Sequence, residues 1–103
     1  MKAPQDCTDM ADIRAEIDRL DSALMGLLAQ RAAYIDRAAQ IKAGISMPAR
    51  IDDRVGEVLA NVARHAAAAG LDAGPYTDMW RILIEWSIAR EEKTLGKKPP
   101  NDS

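Results

Sequence analysis

Between Met10 and Ile41 apolar residues recur in alternating steps of three and four, at Met10, Ile13, Ile17, Leu20, Leu24, Leu27, Tyr34, Ala38 and Ile41. That period belongs to one stripe of an α-helix and fits no strand. The stripe runs to about residue 43, which gives a helix on the order of 50 Å long by the rise per residue. A chain of 103 residues does not normally hold such a helix inside one compact globule. A second subunit is therefore expected to cover part of it. A small chain also gains much from burying a dimer interface.

The rest of the sequence divides at two breaks. Residues 1–8 read as a flexible lead, and Thr8 or Asp9 can cap the first helix, with Asp9 and Asp12 suited to its positive end. GISMP, residues 44–48, ends that helix: Gly44 terminates it and Pro48 cannot continue it. A second helix carries Ile51, Val55, Val58, Leu59 and Val62 and runs through alanines to Gly70. LDAGP, residues 71–75, is the second break, with Asp72 and Pro75 as start signals. A third helix then places Met79, Trp80, Leu83, Ile84, Ser87, Ile88 and Glu91 on one side. The polar end, residues 96–103, reads as a disordered tail. Ala, Leu, Ile and Met dominate the apolar residues and Phe is absent, a helix-forming stock. The expectation is an all-α domain of three helices over residues 9–95, paired with a second copy.

Several function classes drop out. A formal net charge of -2, with cations interspersed among acids, lacks the basic footprint of a nucleic-acid module. No apolar run has the length of a membrane span, and MKAPQDCTDM has no signal-peptide core. The single cysteine, Cys7, makes no internal disulfide and fits a reducing compartment. The reading expects a soluble, cytoplasmic protein. His65 is the single histidine and, set among alanines and apolar residues, reads as a partly buried packing residue rather than a metal ligand. Neither a metal site, nor a cofactor loop, nor a Ser-His-Asp or Cys-His arrangement can be built, so no metal and no cofactor are expected.

What remains is a set of polar residues where apolar ones belong. Arg31 occupies the one place in the stripe where Leu is expected, and a buried guanidinium costs several kcal/mol unless an anion meets it. Lys42 lies eleven residues on, within about 20° around the helix and about 16 Å along it. Both could reach one small anion, although Lys42 near a helix end also has the option of snorkelling to water. Ser87 and Glu91 share the third helix's apolar face. A buried Glu91 either pairs with Arg31 or Lys42, or stays protonated as a donor. Arg14 points about 100° away from Arg31 and lies about 25 Å up the helix. It either pairs with Asp18 or serves the middle of a partner's antiparallel helix. Cations, a hydroxyl and a carboxyl without a nucleophile suit a small dianion whose chemistry needs no covalent help.

These residues carry a resemblance. ADIRAEIDRLD with Arg14, LLAQR with Arg31, AAQIKA with Lys42, PARIDDRV with Arg54, GLDA at 70–73 and LIEWSIAREE with Ser87 and Glu91 stand in an order and spacing similar to the all-helical chorismate mutase family, including its isochorismate pyruvate lyase branch. The resemblance runs from about Ala11 to Lys93. It implies an intertwined homodimer of three-helix chains with shared active sites, in which Arg14 serves the neighbouring chain. It further implies rearrangement of chorismate to prephenate. Lys42 and Glu91 would flank the ether oxygen, Arg14 and Arg31 would hold the carboxylates, Arg54 would close the site, and Ser87 would contact substrate.

Two departures qualify it. Many bacterial members have Gln where this chain has Glu91, whereas some fungal members have Glu; an ionised Glu91 would repel the charge that grows on the ether oxygen, so it must carry a proton to assist. Val55 replaces an acid found in some mutases. The opening MKAPQDCTDMADIR is similar to the lyase branch, which makes elimination of pyruvate from isochorismate the closest rival activity. A non-catalytic helical dimerisation module would explain the stripe but not the inward placement of Arg31, Lys42, Ser87 and Glu91.

Overall fold

The computed structural model describes residues 1–96. Among them the helices are α1 (Met10–Gly44), α2 (Asp52–Ala68) and α3 (Ala73–Leu95), preceded by a 3-10 turn at Pro4–Asp6, with no strand among the described residues. All three helices and both breaks fall where the periodicity places them. The tail expected over 96–103 lies outside the described residues except for Gly96. The chain divides into two units, Met1–Tyr34 and a second beginning at Ile35.

In the first unit the start of α1 is capped by its own side chains. The first-turn amides of a helix have no partner within it. Here Asp9 Oδ1 accepts from the Asp12 amide at 2.8 Å, while Asp12 Oδ2 accepts from the Thr8 amide at 3.1 Å and the Thr8 hydroxyl at 3.3 Å. The Thr8 amide, helped by Lys2 Nζ at 3.1 Å, holds the Asp12 carboxyl below its ordinary value. The Lys2 amide donates to Glu16 Oε1 at 3.2 Å. The lead read as flexible is thus tied to the first two turns of α1. Along the helix the apolar stripe is open in the single chain: Ile17 is 50% exposed, Leu20 55%, Leu24 45% and Leu27 60%. The stripe on which Arg31 sits is therefore not buried by this chain's own residues, and Arg31 itself is half-buried.

The second unit holds the end of α1, the 45–51 loop, α2 and α3, with α2 packed against α3. Ala49, Ile84 and Ile88 are buried at its centre and Val55, Val58, Leu59, Trp80 and Leu95 pack around them. Met79, expected on the inward side of α3, is 52% exposed; it sits about 140° around the helix from Ile84. α2 ends as its sequence requires. Gly70 takes φ 76, its amide bonds to Ala67 O at 3.0 Å and the Leu71 amide to Ala66 O at 2.9 Å, the paired closure that favours glycine. Asp72 precedes α3 but makes no side-chain cap bond. The end of α1 is tied to α3 by a fork: Arg90 Nε and Nη2 donate to Asp36 Oδ1 and Oδ2 at 2.6 and 2.9 Å, and the guanidinium lies 5.2 Å from the Trp86 ring centroid. That geometry combines a bidentate charge-assisted pair with a cation–π contact.

Candidate active site

Two charged residues are nearly removed from solvent inside the second unit. Lys42 stands two residues before the end of α1, and Glu91 lies on the face of α3 that also carries Ile84, Ser87 and Ile88. The Lys42 side chain is 17% exposed and that of Glu91 6%. A carboxylate or ammonium alone in such surroundings costs several kcal/mol, and here each compensates the other. Lys42 Nζ lies 2.9 Å from Glu91 Oε1 and donates to the Ala49 carbonyl at 2.9 Å.

Oε1 of Glu91 is buried beside the ammonium. The ammonium at 2.9 Å is the charge partner of that oxygen. A carboxyl oxygen can accept a donor, or, when protonated, give one. Ser87, 4% exposed, donates its hydroxyl proton to Leu83 O at 2.9 Å, the bond a helical serine makes to the preceding turn.

The structure brings Lys42 and Glu91 together, with Ser87 one turn before Glu91 on the same buried face. Among the two alternatives for Lys42, the snorkelling one fails, because the ammonium turns inward. Arg14 is exposed, and among the described residues no ion pair forms between it and Asp18. Arg54, in the first turn of α2, is exposed and pairs with Glu57 one turn on. His65 is exposed in the last turn of α2 rather than partly buried, where a basic side chain suits the negative helix end. Among the described residues no group of three His, Cys, Asp or Glu is placed to hold a metal ion, and no helix is long and apolar enough to cross a membrane.

Sequence reasoning did not find three contacts around the pair. The Ala49 carbonyl carries no residue-type signal. Arg50 Nη2 lies 2.8 Å from Glu85 Oε1 and also donates to Oε2; that bond, joined by the nearby charges of Asp52 and Glu92, raises the Arg50 guanidinium above its ordinary value. The Arg90 fork holds Asp36 below the ordinary carboxylate value. These partners lie far apart in sequence, beyond any helical i,i+4 rule. Chemically, a buried cation beside an acid able to carry a proton can stabilise negative charge that develops on a ligand oxygen between them, because a low-dielectric setting strengthens both contacts.

Comparison with known proteins bears on what that ligand is. The family described as Chorismate mutase type II matches residues 13–92. Isochorismate pyruvate lyase of Pseudomonas aeruginosa is 39% identical over 94 residues, covering 90% of this chain and 91% of that protein. The T-protein of Enterobacter agglomerans is 26% identical over 83 residues, 81% of this chain but 22% of that longer protein.

Proposed function

The chain belongs to the type II chorismate mutase family, and from that premise we propose that it rearranges chorismate to prephenate around the Lys42–Glu91 pair. In this pericyclic shift the ether carbon–oxygen bond breaks as a carbon–carbon bond forms, with no net proton or electron transfer. Negative charge grows on the ether oxygen, so a donor aimed there stabilises the transition state more than the substrate. Lys42 supplies one donor, and Glu91 supplies the other when it carries a proton. The observation that carries this reading is the nearly buried pair itself, with Lys42 Nζ 2.9 Å from Glu91 Oε1 and the two side chains 17% and 6% exposed.

The remaining roles follow the family pattern. Arg31 and Arg14 hold the carboxylates of this small dianion, Ser87 contacts substrate, and Arg54 closes the site by exchanging Glu57 for it. Arg14 comes from the partner in a homodimer with shared sites, for which the open stripe of Ile17, Leu20, Leu24 and Leu27 provides support. Fixing the folded substrate conformer contributes the rest. No cofactor takes part, and the lone Cys7 suits a cytoplasmic setting.

A second reading, elimination of pyruvate from isochorismate, is favoured by the 39% identical relative of that name. It breaks the same ether bond and uses the same cation. Supplying chorismate and isochorismate separately, and following prephenate and salicylate, separates the two. Prephenate from chorismate as the faster reaction supports the mutase; salicylate from isochorismate as the faster reaction replaces it with the lyase. Turnover of neither overturns both.

A further inference from the structure

Lys42 is held by a backbone carbonyl, and that carbonyl belongs to a loop anchored elsewhere. Residues 45–51 join α1 to α2, and inside them Ala49 is 8% exposed, its methyl packed with Ile84 and Ile88 of α3. Its carbonyl accepts from Lys42 Nζ at 2.9 Å. The next residue, Arg50, spans to Glu85 of α3, one residue beyond Ile84. The loop also holds Ser46 at φ 56, in the left-handed region that side chains other than glycine's adopt rarely.

We propose that Arg50 and Glu85 are positioning residues for Lys42: their ion pair fixes the 45–51 loop on α3, which sets the Ala49 carbonyl and through it the direction of the Lys42 ammonium. An ammonium has three N–H bonds about one axis. Committing one to Ala49 O fixes where the other two can point. With Ala49 O and Glu91 Oε1 both 2.9 Å from the nitrogen, the third N–H is left for a ligand oxygen. Were the loop released, the ammonium would be free to rotate about its axis and that third donor would lose its fixed direction. The role assigned to the ligand oxygen rests on the reading of the previous subsection; the control of Lys42 by the loop does not.

The ion pair is largely exposed, its side chains 47% and 58% accessible, so its effect is modest and sensitive to salt. Arg50→Ala, Glu85→Gln and the charge-exchanged double variant Arg50→Glu with Glu85→Arg are compared with the native protein by NMR exchange of the Lys42 ammonium protons. Each single variant is expected to speed that exchange about fivefold, the ratio matching the upper end of about 1 kcal/mol for an exposed pair. The double variant is expected to restore it, and backbone exchange within α2 and α3 to stay unchanged. Turnover of whichever substrate the native protein accepts falls in parallel in the single variants. Ammonium exchange unchanged in both single variants, or not restored by charge exchange, overturns the proposal. Exchange that responds as expected in a native protein that turns over neither substrate upholds the positioning role and overturns the assigned reaction instead.

Discussion

At the scale of single residues the proposed chemistry rests on Lys42 and Glu91, and their separate contributions to stability and turnover can be pulled apart. Lys42→Met leaves a buried acid without its cation, which is expected to cost about 3 kcal/mol by the penalty for a broken buried pair. Adding Glu91→Gln removes the orphaned charge and is expected to restore most of that loss in urea unfolding. Turnover responds differently: a transition-state donor is worth about 10²–10³ in kcat, so both the Lys42→Met variant and the double variant stay slow.

Individual elements carry two further expectations, both at junctions of α1. Asp9 closes the first turn by accepting the Asp12 amide at 2.8 Å. Asp9→Ala is expected to cost about 1 kcal/mol, the usual value of an N-cap, read as a lower denaturation midpoint with the m-value unchanged. The other junction is Asp36 with Arg90. Because the guanidinium depresses the folded carboxyl, its stabilisation is fully present above the ordinary value of 3.8 and is lost as pH falls through the depressed folded one. Asp36→Asn is expected to remove that part of the acid dependence. Melting temperature measured across the acid limb shows it as a shallower slope in the variant than in the native protein. Equal slopes would mean the fork does not hold α1 to α3 in solution.

For the whole molecule, the open question raised by one chain is what covers the stripe along α1. Leu20 at 55% and Leu27 at 60% exposure are long apolar side chains in a regular row, a pattern that marks an interaction surface rather than scattered surface residues. A second copy of the chain is the proposed cover, and it would supply Arg14 to the site. Sedimentation is expected to show a dimer, with a melting temperature that rises with protein concentration. Leu20→Glu together with Leu27→Glu is expected to yield monomers that lose turnover while Lys42 and Glu91 are untouched. A fully active monomer would remove the shared-site arrangement.

The sequence by itself determined the three helices and where they stop, since helical period, capping and glycine or proline breaks act within a few residues of one another. It also singled out Lys42, Ser87 and Glu91, because a polar group on an apolar face is visible one helix at a time. Only the tertiary structure decided that Lys42 meets Glu91 rather than water, that it donates to the Ala49 carbonyl, that Arg50 pairs with Glu85, and that Arg54 turns to Glu57. Those outcomes depend on which faces of α1, α2 and α3 pack together. Packing is a property of the assembled side chains, and no local period encodes it.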